Sequence, residues 1–437
     1  MTVDYLQALN AIVQASPKAP YRAIADRYLA LITAHPQRAE AYQSLALYAA
    51  LCGQLSAANC VIDEALLLPT GQARSHYIKA RICDETLDPQ AAIANYEQAL
   101  QLDPDNAKWR FNLGLAQLTA GDFEHGVVNY RDRFNSEAAA AVASTPAWTP
   151  AWSSAWMQAH AGAKVLIWAE QGLGDELMFA RLLPCLQAHD ERYTLQCDQR
   201  LISTLRHNHR WLDFVPRGEL STLLPGFDAQ LAIGDLLALF HRSLDQPRVR
   251  DRVLQPVPRP EIAVVVDSSG TGNHRDPAQQ RRRIGISWLS MNPEYGAQRS
   301  VPLAQLLGAF DPAQHVLVNL QYLAPPEQLQ AIRERGFELI DNVNAFDDIE
   351  GLAALAAHCD VIVSIDNSTL HLAGALGLPT YALIPRLPNW RWRLQTPRSD
   401  WYPSLELIRQ NVLFDWSAEI EVLRLRLRAQ AAAIVVK

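Results

Sequence analysis

A spacing of 34 residues organises the first third of the chain and confines it to a stack of like units. Ala46, Ala80 and Gly114 share one phase of this period, Ala58, Ala92 and Gly126 a second, and Ile62, Tyr96 and Tyr130 a third. One period back from Ile62 lies Tyr28, but one period back from Ala58 lies Ile24, which is flanked by Ala23 and Ala25. A first, less regular unit is therefore expected from about residue 4. Small residues at two fixed phases let two helices of one unit cross closely. The larger Ile and Tyr fill the groove to the next unit, and Pro36 and Pro104 stop the second helix. A unit of this size cannot bury its apolar face alone, so three or more must stack.

This pattern resembles the tetratricopeptide repeat, with Asn106–Phe134 its cleanest copy. About four repeats are expected over residues 1–136. Such an array implies a concave surface that holds a peptide or partner protein, or else an extended brace for the rest of the chain.

Residues 137–162 change in character. They contain Pro146 and Pro150 with Trp148, Trp152 and Trp156, and ten of the eleven tryptophans lie from Trp148 onward. This junction either packs the array against the rest of the chain or presents an aromatic recognition surface. Short β-rich runs then alternate with helical patterns. Residues 163–266 hold Lys164–Ala169, Tyr193–Cys197, Ala229–Ile233 and Ile262–Val266, with a helical pattern over Glu176–Ala188. A polar linker, 267–283, ends in Arg281–Arg283. Residues 284–437 continue with Arg283–Trp288, Val316–Leu320, Asp360–Ile365 and Thr380–Ile384, interleaved with helical Glu327–Arg335, Ala345–Ala357 and Leu370–Gly377. The alternation indicates two doubly wound parallel sheets. The fold class expected is α + α/β, a helical solenoid followed by two Rossmann-like lobes. Ligands of such sheets sit beyond the carboxyl ends of strands, so the loops after Ala169 and Ile365 should face one cleft.

Composition removes several function classes. There are 39 Lys and Arg against 46 Asp and Glu, a net charge of −7, which argues against nucleic acid as a bulk partner. No apolar run reaches the roughly 18 residues a membrane-spanning helix needs. Met1–Pro20 lacks the basic start and apolar core of a signal segment, and six cysteines form no CxxC pair. A soluble cytoplasmic protein with reduced thiols and no metal site is expected.

Two loops carry the strongest chemical signal. Glu170-Gln-Gly172-Leu-Gly174-Asp175 lies between a strand and a helix, where glycines let the backbone approach a ligand and the helix start offers partial positive charge. It is not the GxGxxG dinucleotide fingerprint. Asp175 is equally suited to capping the helix. The second loop, Asp366-Asn367-Ser368-Thr369-Leu-His371, suits a pyrophosphate cradle, or else Asn367 or Ser368 caps the helix and His371 packs inside it. Arg299 is a candidate phosphate clamp, with a surface arginine as the alternative. Trp390-Arg391-Trp392-Arg393 alternates aromatic and basic residues, either to stack a base or sugar and grip an anion, or to seal a lobe. Ser287 and Gln321, at the ends of two strand runs, complete the donor-side candidates.

In this order and context the loops resemble the heptosyltransferase-like enzymes of glycosyltransferase family 9, and more closely their tetratricopeptide-fused relatives. The resemblance implies a GT-B fold, in which a nucleotide-sugar co-substrate binds mainly to the second lobe and neither a cofactor nor a metal is required. Asp175 matches the proposed catalytic base, with Glu170 in reserve. Asp366 and His371 match the ends of an Asp-Thr-Gly-x-x-His phosphate loop, but Asn367 and Ser368 replace its Thr and Gly, which leaves the donor open. Gly172, Gly174, Ser287, Arg299, Gln321, Asn367, Ser368 and Thr369 fall on the donor side, and Trp390 and Arg391 against acceptor or sugar. The repeat array implies a protein acceptor, Ser or Thr of a surface protein such as flagellin. The rivals are a lipopolysaccharide heptosyltransferase and a non-catalytic repeat scaffold.

Overall fold

A computed structural model describes residues 3–16, 20–134, 163–188, 192–246, 249, 254–263 and 281–435. The chain divides into two compact units, Met1–Ala140 and Ala141–Lys437. The junction with Trp148, Trp152 and Trp156 and most of the expected linker lie outside the described residues.

The first unit is a run of antiparallel helix pairs: α1 (Val3–Ala15) with α2 (Tyr21–Ala34), α3 (Ala39–Leu51) with α4 (Leu55–Leu66), α5 (Gln72–Glu85) with α6 (Pro89–Leu102), and α7 (Ala107–Ala120) with α8 (Phe123–Tyr130). Every phase of the period has a steric cause. A Cβ on Gly114 would lie 2.6 Å from the backbone nitrogen of Tyr130, and one on Gly126 would lie 2.8 Å from Cγ of Leu118. Ala46, Ala58, Ala80 and Ala92 are fully buried at the same crossings, with Ile62, Tyr96 and Tyr130 filling the grooves. Asp88, Asn106 and Asp122 each accept a hydrogen bond from the backbone N–H three residues on. Caps of this kind stabilise a helix by about 1 kcal/mol each.

The second unit contains two all-parallel sheets. The first has the order β3-β2-β1-β4, from β1 (Lys164–Trp168), β2 (Arg192–Cys197), β3 (Asp213–Pro216) and β4 (Ala229–Ala232). The second has the order β10-β9-β8-β5-β6-β7, from β5 (Arg282–Ser287), β6 (His315–Asn319), β7 (Leu339–Ile340), β8 (Val361–Ile365), β9 (Thr380–Ile384) and β10 (Leu405–Arg409). Both start at a central strand and reverse direction beside it, the Rossmann-like winding. The switch points fall between β1 and β4 and between β5 and β8.

Three sequence expectations need correction. Arg282, expected in the linker, belongs to β5, which starts one residue ahead of the expected Arg283. Ile262, expected in a strand, lies in a helical turn over 260–263, because Pro260 with its fixed φ opens a helix more readily than it joins a ladder. The helix expected over Glu176–Ala188 is α9 (Leu173–Ala180), followed by a 3₁₀ segment, Leu183–Ala188.

The core of the second lobe is built from β5, β8 and β9, through Ile284, Ile286, Val361, Val363, Ile365 and Leu383. Trp288 and Trp416 are buried in it, as are Ile420, Leu423 and Leu427 of the long C-terminal helix. Two further helices, α10 (Ile349–Ala356) and α11 (Ser368–Ala375), complete the elements that hold the site. No helix among the described residues is long and apolar enough to cross a membrane.

Candidate functional site

The loop leaving β1 turns sharply at Gln171, whose φ of +58° is left-handed. Gly172 is the N-cap of α9, and Asp175 stands at its third helical position. Asp175 is thus not the N-cap itself. Its Oδ2 reaches back to accept the backbone N–H of Gly172 at 3.3 Å, the carboxylate half of a capping box. Glu170 points away from Asp175, and its Oε1 accepts the N–H of Gly234 at 2.9 Å, joining the loops after β1 and β4.

Gly174 lines the cleft and also has a steric role. A Cβ there would lie 2.7 Å from Cδ2 of His371. The glycine is a socket that lets α9 of the first lobe pack against α11 of the second. His371 fills it from below, fully buried, with Nδ1 3.0 Å from the Tyr402 hydroxyl and Nε2 3.2 Å from Nη1 of Arg391. Burial, with help from Arg391 and Arg299, holds His371 well below the usual imidazole range. The ring is therefore neutral. Nε2 accepts from Arg391, which leaves the proton on Nδ1 to be donated to Tyr402.

On the second lobe, Asp366 follows β8 directly and is buried. Its Oδ1 accepts the indole N–H of Trp392 at 2.8 Å, and its Oδ2 lies 3.5 Å from Nε of Arg299. Asn367 caps α11, accepting from the N–H of Leu370 at 3.2 Å and donating to Oγ of Ser287 at 2.7 Å. Thr369 donates its hydroxyl to the Leu320 carbonyl at 3.0 Å, so only its backbone and carbon atoms face a ligand. Ser287 and Gln321 lie beneath the site. Oε1 of Gln321 accepts from Oγ of Ser287 and from the N–H groups of Trp288 and Leu289, at 3.0, 2.9 and 2.8 Å.

These elements border an open cleft of about 350 Å³. Of the sequence candidates it is lined by Gly172, Gly174, Asp175, Arg299, Asp366, Asn367, Ser368, Thr369, His371 and Arg391. Glu170, Ser287, Gln321 and Trp390 do not line it. Trp390 is buried edge-on against Trp401, with ring centroids 6.0 Å apart.

Sequence reasoning misses Arg200, Ser290, Asn292, Tyr322 and Phe346, which also face the cleft, and Trp392 and Tyr402 behind it. Arg200 reaches across from the first lobe, donating to the Phe346 carbonyl at 2.9 Å with its guanidinium 4.7 Å over the Phe346 ring. It is aimed by Asp198, which accepts from its Nε and Nη2 at 2.9 and 2.7 Å. This pairing lowers Asp198 below the usual carboxylate range. Asp198 is fixed in turn by the fully buried Glu176, which accepts its backbone N–H at 2.8 Å and is ion-paired with Arg217. Burial raises Glu176 despite that partner. A lone Arg in a polar turn gives no sequence signal of this kind.

Each of three arginines at the cleft faces a carboxylate: Arg391 with Asp175 at 2.6 Å, Arg299 with Asp366 at 3.5 Å, and Arg200 with Asp198 at 2.7 Å. Arg299 and Arg391 stand on the second lobe with the N-terminal end of α11, a set suited to an anion, while Arg200 and Asp175 come from the first lobe. No group of three or more His, Cys, Asp or Glu side chains able to hold a metal occurs among the described residues.

Comparison with known proteins divides along the same line as the fold. The tetratricopeptide repeat model matches residues 90–121. MamA, in a crystal structure, covers 32% of this chain and 76% of its own, with 18% identity and a TM-score of 0.28. The ADP-heptose lipopolysaccharide heptosyltransferase II of E. coli covers 61% of this chain and 99% of its own, with 16% identity and a TM-score of 0.41. A family 9 glycosyl transferase from Veillonella parvula covers 62% and 96%, with 12% identity and a TM-score of 0.41. Protein FlbA of Caulobacter vibrioides is 26% identical over 405 residues, 86% of this chain and 65% of FlbA. The chain therefore spans just under two thirds of that relative's length. The chain is similar to repeat proteins in one part and to family 9 transferases in the other.

Proposed function

We propose that this chain moves a sugar from a nucleotide-sugar donor to a hydroxyl, with inversion and without a metal. The observation that carries this reading is the cleft itself. Two Rossmann-like sheets present, beyond the ends of β1 and β8, a carboxylate on one wall and arginines with a helix N-terminus on the other. Asp175 takes the proton of the attacking hydroxyl, a contribution worth about 10²–10⁴-fold. Glu170, committed to the Gly234 N–H, is the weaker candidate. Arg299 and the backbone at Ser368 and Thr369 stabilise the departing phosphate, the preorganised electrostatic role.

The acceptor we propose is Ser or Thr of a protein, flagellin being one example, held by the repeat unit and modified in the cytoplasm. An array of tetratricopeptide type supports a peptide ligand more directly than a lipopolysaccharide core. Thermal shifts of the whole chain against UDP, ADP, GDP, CMP and dTDP and their sugar conjugates test the donor half. One nucleotide should raise the melting temperature by roughly 2–4 °C per kcal/mol of linked binding. A cooperatively unfolding chain that ignores every nucleotide would be the non-catalytic scaffold. Transfer from the donor so found to lipopolysaccharide, and not to peptide, would replace the protein acceptor.

A further inference from the structure

Among the described residues the Arg391 guanidinium has three acceptor contacts, each of a different kind. Its Nε donates to Oδ1 of Asn389 at 3.1 Å, its Nη1 to Nε2 of the neutral His371 at 3.2 Å, and its Nη2 faces Oδ1 of Asp175 at 2.6 Å. The first two acceptors belong to the second lobe and are uncharged. The third is a charge on the first lobe and sits at the cleft surface. Protonating Asp175 in this arrangement would leave a guanidinium about nine-tenths buried without its counter-charge, which is costly. While Arg391 holds it, the carboxylate cannot act as a base without losing its ion pair.

We propose that Arg391 changes partners when a diphosphate enters the cleft: Nη2 leaves Asp175 for a phosphate oxygen, and the carboxylate becomes a proton acceptor only once the donor is in place. The inference rests on the nucleotide-sugar reading above. Nε and Nη1 stay on Asn389 and His371, so the guanidinium swings about a tether. Asp175 keeps the Gly172 N–H through its other oxygen and holds its place on α9. The other two cleft arginines are less suited to the exchange. The carboxylate facing Arg299 is also engaged by Trp392, and Arg200 is held to Asp198 through two nitrogens. The exchange commits the enzyme to bind donor before it activates acceptor.

The test is a double-mutant cycle on the whole chain, with inorganic pyrophosphate binding followed by calorimetry. Asp175→Asn removes both the repulsion between carboxylate and phosphate and, if Arg391 exchanges, the ion pair that binding must break. Arg391→Gln removes only the second of these. Asp175→Asn is therefore expected to tighten pyrophosphate binding on the order of tenfold more with Arg391 present than in the Arg391→Gln chain, a coupling of about 1.4 kcal/mol. Equal effects in the two backgrounds would mean that Arg391 serves both anions at once, and would overturn the exchange while leaving the donor site standing. If neither the wild-type chain nor Asp175→Asn binds pyrophosphate, the exchange and the reading beneath it fall together. Arg391→Met replaces Arg391→Gln if the latter does not unfold cooperatively.

Discussion

Glycine in the repeat unit and glycine at the cleft answer the same steric problem in different surroundings. Gly114 and Gly126 make room for the backbone of Tyr130 and the side chain of Leu118, within a pattern that recurs every 34 residues. Gly174 makes room for one histidine ring from the other lobe, as Gly374 does for the Tyr402 ring within its own lobe. The repeat unit spreads its packing over equivalent crossings. In the second unit, the fit of α9 on α11 depends on one contact. Redundancy and a single keystone predict different responses to damage.

The largest expected effect is chemical. Asp175→Asn should lower turnover about 10²–10⁴-fold without weakening nucleotide binding. Unchanged turnover with the identified donor would remove Asp175 from the base role.

Next comes the keystone. Gly174→Val should destabilise the second unit by roughly 1–3 kcal/mol, because the added carbons meet a buried ring, and it should weaken donor binding as well. Gly126→Ala, which adds one carbon against Leu118 and lies in the other unit, should cost less and leave donor binding alone. Paired urea melts and donor titrations would show it, and equal losses from both would erase the contrast between the units.

Two buried titrating groups sharpen the comparison further, since they act in opposite directions with pH. His371 is held well below its ordinary 6.5, so the unfolded chain takes up a proton first. The second unit should lose stability as pH falls below about 6.5, by up to about 1.4 kcal/mol per pH unit. In the repeat unit, burial raises Asp84 from 3.8 to about 6, where it accepts a 2.6 Å hydrogen bond from Tyr96. Here the folded chain takes up the proton first, so this unit should gain stability as pH falls from about 6 toward 4. Hydrogen exchange of α11 and of α5 and α6 in the intact chain, compared at pH 7.5 and 5, should show the two moving apart. Parallel movement would contradict both assignments.

Smallest is Asp84→Asn, which keeps an acceptor for Tyr96 and removes the charge. It should stabilise the repeat unit by on the order of 1 kcal/mol at pH 7.5 and have almost no effect near pH 4. A chain that melts identically at pH 7.5 would mean that the buried carboxylate carries no penalty.

Legibility follows the same division. The helix pairs can be read because steric requirements recur, so that Ala46, Ala80 and Gly114 identify one another. β1, β8 and β9 can be read because their residues are buried on both faces and form unbroken apolar runs. β3, only Asp213–Pro216, and β10, with Glu406 and Arg409 inside it, carry no such run and escape a sequence reading. Within the cleft, the residues of two contiguous loops are legible. Arg200, Phe346 and Tyr402 come from distant segments and acquire meaning only through contacts the fold creates. Gly174 stands out in the sequence as a point of ligand approach, but its fit against His371 does not, because sequence alone does not show which ring will lie beside a glycine.

The three donors gathered on Oε1 of Gln321 have a consequence for how such a protein can change over time. One side-chain amide fixes the backbone at Trp288 and Leu289 from beneath. Ser290 and Asn292, further along the same loop, shape it as well: Oγ of Ser290 accepts the N–H of Asn292 at 3.4 Å, and Oδ1 of Asn292 accepts those of Glu294 and Tyr295 at 2.9 and 2.8 Å. A substitution at Ser290 or Asn292 therefore alters the loop together with the cleft surface, while the start of the turn stays pinned by Gln321.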